Sequence, residues 1–358
     1  MGTLGNLLKV LAAVVMIIAV IAIGVFLFNS KIQFGSSGTS QAARTFMFTV
    51  HPGDTVENIS QNLKTQGVID SPFMFKLQLK MKGVEKDIKA GQFQLTTGMD
   101  SDKLIKALTT SPTELGVKFQ VIEGMRIGEI DDKLSAQQII DKDKFLQMAG
   151  TAAGSAQFQD DFLQASGRPA DQGLEGYLFP DTYEIKQSGG DNSETVIKKM
   201  LGTLEEKFTP AMREAATAKQ RNIHQILTIA SIVQREGQAK TELPKIAAVF
   251  WNRIDQGMRL DADPTTQYAV AKPGSWWPNL DSLGINPNDV DNPYNTYRIP
   301  GMPPGPICNP GLGAIQAAVT PEQNNFLYFV AKNDGTGEHA FATTLDEHER
   351  NRVKYGNR

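Results

Sequence analysis

The stretch Leu227 to Lys240, "LTIASIVQREGQAK", places a carboxyl group where a helix ought to be apolar. A helix turns roughly 100° per residue. Ile226, Ile229, Ala230 and Val233 therefore fall on one stripe with the i, i+3, i+4, i+7 spacing of a core-facing side. Glu236, three residues further on, returns to that stripe, while Thr228, Ser231 and Arg235 gather opposite and are expected to be wet. A carboxyl held against apolar groups loses the hydration that favours its charged form, so its pKa rises. An acid that keeps its proton near neutral pH can protonate a poor leaving group such as a glycosidic oxygen. The bland alternative is a helix-terminal glutamate whose side chain escapes to solvent, and the helix pattern by itself favours that alternative.

Other chemistries find less support. The histidines, His51, His224, His339 and His348, form no HExxH pattern and no close pair, which argues against a metal site. No G-x-S-x-G elbow exists for a Ser-His-Asp hydrolase. One cysteine, Cys308, excludes a disulfide framework within the chain. The net charge of −3, without a long basic run, argues against a nucleic-acid partner.

The elements that must position Glu236 can be traced along the 358 residues. Val10 to Phe28, "VLAAVVMIIAVIAIGVFLF", is a 19-residue run without a charge. That is about the length needed to cross a bilayer core of roughly 30 Å as a helix. A cleaved signal peptide fits less well, because its apolar run is roughly 7–15 residues and "FNSKIQF" offers no small-x-small site. Residues 1–31 are expected to be a cytoplasmic stub and single-pass anchor, and 32–45 a linker. In the module at 46–115, "FMFTV" alternates as a strand, Thr55 suits an N-cap before Val56, Ile59 and Leu63, and a second helix spans Ser71 to Met81. "IKAGQFQL" alternates again before a helix near Ser101. A second domain, 116–350, opens with "VKFQV" and a helix, then a small, polar stretch, Ala152 to Gln172, expected to be a loose insertion or hinge. Helices are expected at Asn192–Phe208 and Glu242–Gln256, the latter stopped by Gly257. Residues 351–358 read as a tail. Asp263 to Pro310 holds ten of the 18 prolines and, with Trp276 and Trp277, is too aromatic for a disordered segment. A walled cleft is expected there. The fold class is α+β.

Long stretches in this order, "LEGYLFPDTYEI", "ASIVQREG", "GMRLDADPTTQY", "NPYNTYRIPGMPPGPICNPG" and "FLYFVAKNDGTGEHAFATTLDEH", resemble the YceG-like endolytic murein transglycosylases over nearly the whole chain. The resemblance implies an N-terminal transmembrane helix in the cytoplasmic (inner) membrane, a LysM-like module and a YceG-like mixed α/β catalytic domain in the periplasm. The implied reaction is internal cleavage of peptidoglycan glycan strands at the β-1,4 MurNAc–GlcNAc bond, leaving 1,6-anhydro-MurNAc ends, without cofactor or metal. The implied partners are peptidoglycan and the cell-wall synthases that polymerise it. The family's catalytic glutamate falls on Glu236, and a further glutamate common two positions earlier is replaced by Gln234. A glycosidase needs two carboxylates; a lytic transglycosylase uses the muramyl C6 hydroxyl as nucleophile, so one acid suffices. Within the matching motifs, Asp261 and Asp263 are candidates for a second carboxylate, although Asp263 before Pro264 equally suits a turn and helix cap. Tyr268, Asn295, Tyr297 and Asn309 offer amides and phenols for sugar recognition, or for pinning loops through bonds to the backbone. Cys308 stands where the family commonly has alanine and reads as a packing residue. A non-catalytic peptidoglycan-binding scaffold and a water-using muramidase are the alternative functions.

Overall fold

The computed structural model describes residues 44–110, 116–158, 160–186 and 191–356. The expected anchor and nearly all of the linker lie outside them. Among the described residues no helix is long and apolar enough to cross a membrane. The chain divides into two compact units, Met1–Thr113 and Glu114–Arg358.

In the first unit, the alternation of "TFMFTV" turns Phe48 and Val50 inward on β1 (Thr45–Val50). β1 pairs antiparallel with β2 (Gly91–Thr96), from Thr45 opposite Thr96 to Val50 opposite Gly91. Two helices connect them. α1 (Val56–Thr65) is capped by the Thr55 side chain, and α2 (Pro72–Lys82) by Ser71, ending at Gly83 in the left-handed conformation glycine adopts freely. α3 (Ser101–Thr109) follows β2. Phe48, Ile59, Leu63, Phe75, Leu79, Phe93, Leu95, Leu104 and Leu108 form a core of their own.

The second unit begins with β3 (Gly116–Gln120), which pairs antiparallel with the distant β4 (Thr182–Lys186). Phe119 and Tyr183 face each other across that pair, ring centroids 5.4 Å apart. Between the strands run α4 (Ile127–Ala136), α5 (Lys144–Gly150), α6 (Ala152–Ser155) and α7 (Asp161–Ala165). The stretch Ala152 to Gln172 is therefore not a loose insertion. Phe158, Phe162 and Leu163 are buried in the main core, and Asp160 caps α7 by accepting from the Leu163 N–H at 2.7 Å. Its small residues permit close backbone approach: a Cβ on Gly154 would meet the Gln147 carbonyl oxygen at 2.1 Å.

α8 (Ser193–Lys207) and α9 (Pro210–Ala218) lead to α10 (Ile223–Glu236). α11 (Leu243–Asp255) stops before Gly257, whose φ is 68°. α13 (Leu312–Val319) packs on both α10 and α11. Between them, the proline-rich segment forms α12 (Asp263–Val270), two short 3-10 turns and irregular chain. A hairpin, β5 (Tyr328–Ala331) with β6 (His339–Ala342), and α14 (Leu345–Lys354) complete the unit. The expected tail from 351 is helical through Lys354, so the boundary at 350 cuts an element.

Candidate active site

α10 starts with a capping box in which the Asn222 and Gln225 side chains satisfy each other's backbone N–H groups. Its apolar stripe is buried, as the spacing predicts. The side expected to be wet differs: Thr228 and Ser231 are buried too, and only Arg235 is exposed. Small hydroxyls can enter a core when their bonds are met locally. The Thr228 hydroxyl donates to the His224 carbonyl (2.7 Å) and the Ser231 hydroxyl to the Thr228 carbonyl (2.7 Å). The Ser231 Oγ also accepts the Ile307 N–H at 3.0 Å, and Cys308 Sγ donates to the Ser231 carbonyl at 3.3 Å. The chain at 307–311 thus lies along α10, and further along Gln234 Oε1 accepts the Gly311 N–H at 2.9 Å.

Glu236 closes this helix, half-buried as a residue. Loss of hydration pushes its carboxyl up to about 8, assisted by the negative charge of Asp263 and opposed by Arg235. Asp263 is the first residue of α12 and is exposed. No side chain caps α12; the Asp263 carboxylate instead accepts the Tyr297 hydroxyl at 2.7 Å. Burial, then the charge of Asp263 and Glu236, raises the Tyr297 phenol. Glu236, Asp263 and Tyr297 therefore stand together. Asp261 is turned elsewhere, to Arg253 (3.2 Å) and Arg259 (3.3 Å).

The remaining expected sugar contacts separate by their partners. Tyr268 lies with its ring centroid 4.7 Å from that of Tyr294 and 4.0 Å beneath the Arg126 guanidinium. Asn295 is fully buried: its Nδ2 donates to the carbonyls of Pro287 and Val290, and its Oδ1 accepts from the Thr266 hydroxyl and the Tyr297 N–H. Asn309 is buried likewise; its Oδ1 accepts from Gly176 and Leu178 N–H, and its Nδ2 donates to the Met125 carbonyl and Glu175. An amide has two donors and two acceptor positions, so neither side chain has capacity left for a sugar. Both hold loops, the alternative the sequence left open.

Several residues join the site that the spacing analysis did not single out. Glu175, inside "LEGYLFPDTY", accepts from the Ile127 N–H (3.2 and 3.3 Å) and from Asn309 Nδ2 (3.2 Å). Burial pushes it up to about 8, against the pull of the Arg126 charge. A carboxylate between Leu174 and Gly176 in an aromatic run was the available signal. Trp277 donates to Glu129 Oε2 at 3.0 Å and lies 3.8 Å from the Arg235 guanidinium, while Trp276 donates to Asp132 Oδ2 at 3.1 Å. A Cβ on Gly128 would strike the Trp276 ring at 2.2 Å, so glycine is required where the indole packs on α4. Among the described residues no three His, Cys, Asp or Glu side chains are grouped to hold a metal.

Comparison with known proteins agrees with this architecture. The model of the YceG-like family matches residues 48–354. An endolytic murein transglycosylase of Bacillus subtilis is 33% identical over 321 residues, 87% of this chain and 85% of the relative. One from Streptococcus pneumoniae is 31% identical over 325 residues, covering 85% of this chain but 57% of that longer protein. The crystal structure of a YceG-like protein from Listeria monocytogenes superposes with a TM-score of 0.55 at 29% identity, covering 86% of this chain and 98% of that one. On its sequence and its fold together, the chain belongs to the YceG-like family.

Proposed function

We propose that the protein is an endolytic lytic transglycosylase, a lyase acting on the glycan strands of peptidoglycan, with Glu236 as its acid. The observation that carries this reading is the position of Glu236 at the end of a buried helix, beside Asp263 and its partner Tyr297, where loss of hydration raises the carboxyl pKa. The names of the relatives from Bacillus and Streptococcus support the substrate class.

Glu236 protonates the oxygen of the β-1,4 MurNAc–GlcNAc bond as that bond breaks. The resulting carboxylate then takes the proton of the muramyl C6 hydroxyl, whose oxygen closes on C1. The product is a 1,6-anhydromuramyl end, water is not consumed, and the acid is regenerated. Asp263 serves this cycle electrostatically, since its negative charge opposes premature ionisation of Glu236. Tyr297 and Tyr268 line the approach for sugar. Residues 10–28 anchor the chain in the cytoplasmic membrane, with the two units outside beside nascent strands and their synthases, so that cutting limits strand length. The strand–helix–helix–strand order of the first unit supports a LysM-like module.

The test is digestion of purified glycan by the wild type and Glu236→Gln, with mass analysis of the ends. Anhydro ends from the wild type alone are expected. Reducing ends would show a water-using muramidase, and unchanged glycan a binding scaffold.

A further inference from the structure

Helix α2, "PFMFKLQLKMK", carries apolar side chains on two sides. Phe75 and Leu79 are buried in the core of the first unit. Phe73, Leu77 and Met81 follow one another at i, i+4 and i+8 with Met74 alongside, which places the four on one face, turned away from the buried pair. They are 68%, 39%, 62% and 50% exposed. Of nine exposed large hydrophobic residues among those described, four belong to this one 11-residue helix. Single exposed apolar residues are ordinary, whereas a contiguous group marks a docking surface.

We propose that this face of α2 lies on the lipid bilayer, with Phe73, Met74, Leu77 and Met81 set among the acyl chains just beneath the headgroups. The charges fit an anionic leaflet. The helix contains Lys76, Lys80 and Lys82 and no acidic residue. Lys76 pairs with Glu57 and Lys82 with Asp102, while Lys80 makes no ion pair among the described residues. Residues 44–110 hold nine Lys or Arg against seven Asp or Glu, net +2, in a chain whose total is −3. Lysines beside an apolar face can lay their stems on it and keep the ammonium at the headgroups, and each is attracted by anionic lipid.

Chain length points to the same occupant, and here the inference rests on reading residues 10–28 as a membrane span. Fifteen residues separate Phe28 from Arg44. Such a linker reaches at most about 50 Å and averages about 20 Å if flexible. The bilayer is then always within reach, at an effective concentration on the order of millimolar, and a face of weak intrinsic affinity stays engaged. A second copy of the chain has no such tether. Docking of this kind sets the height above the bilayer at which the chain leaves the first unit.

The full chain is reconstituted into vesicles of phosphatidylethanolamine and phosphatidylglycerol, carrying Met81→Cys labelled with an environment-sensitive fluorophore. Cys308 is buried, so the label goes to the introduced thiol. Lipid-borne quenchers should dim this label at least twofold more than one at Gln61→Cys, an exposed position on α1. Adding Phe73→Glu and Leu77→Glu should abolish the difference without unfolding the module, since both side chains are exposed. Equal quenching at the two positions overturns the proposal. So does a blue-shifted label that lipid quenchers do not reach, which would mean protein or glycan covers the face. A chain that fails to float with vesicles overturns the anchor reading and this inference together, whereas floating with an unquenched label overturns the inference alone.

Discussion

At pH 7 a carboxyl whose pKa is about 8 is mostly an acid, and the site holds two of them, Glu236 and Glu175. If Glu236 donates its proton to the departing sugar, cleavage is lost as pH rises through about 8. Replacement by Gln should lower the rate by about 10²-fold or more, the range expected for general acids, with an unchanged circular dichroism spectrum. The same shift has a consequence for stability. The folded pKa is raised above the unfolded value near 4.5, so the stabilising contribution of the neutral form is complete below about 4.5 and is lost as pH climbs to about 8. Each group then makes unfolding easier by on the order of 1 kcal/mol per pH unit across that window. Urea unfolding from pH 5 to 8 should show a shallower decline for Glu236→Gln and for Glu175→Gln than for the wild type. Parallel curves would mean that neither carboxyl is held protonated by the fold. The rise at Glu236 was legible from its phase on the helix; that at Glu175 was not, because nothing in "LEGYL" reveals that Ile127, Arg126 and Asn309 converge on it.

Among the elements, the chain at 307–311 and helix α10 depend on each other. Asn309 ties this chain to Met125, Glu175, Gly176 and Leu178, and Ser231 and Gln234 tie it to the helix. Asn309→Ala would leave two N–H groups and a carbonyl without their side-chain partner, at about 3 kcal/mol or more in all. We expect a lower urea midpoint and lower activity. Cys308→Ala, next in line, removes one small apolar group and a weak sulfur bond. It should cost about 1 kcal/mol and keep full activity, which urea unfolding and glycan cleavage together would check. This dependence also explains which elements the sequence conveyed. The stripe of Ile226, Ile229, Ala230 and Val233 announced α10, but not that Thr228 and Ser231 would be covered, because a hydroxyl bonded to its own helix is as content in a core as in water. Similarly, α6 and α7 are shorter than two turns and leave no period to read.

For the molecule as a whole, each unit contains its own hydrophobic core. A fragment of residues 44–113 should therefore fold alone, and its amide spectrum should show the dispersion of an ordered domain. The full chain should melt in two steps, one matching that fragment; a single cooperative transition would show that the two cores depend on each other. Two strand pairings are non-local, β1 with β2 across two helices and β3 with β4 across more than sixty residues, and the second spans the greater length of chain. That pairing was not derivable from "VKFQV" and "TYEI" as isolated alternating runs, since an alternation states which face is buried and not which partner covers it.

The sequence by itself determined part of the local order of this protein: that α1, α2, α8, α10 and α11 are helical, that Thr55 caps α1, and that a glutamate shares the buried phase of α10. Those properties follow from neighbours a few residues apart. Only the tertiary structure decided that Asn295 and Asn309 spend their amides on loops, that Tyr297 engages Asp263, and that burial raises the pKa of a second carboxyl, Glu175. Hydration and hydrogen-bond capacity at a side chain depend on groups brought from far along the chain, and they exist only once it has folded.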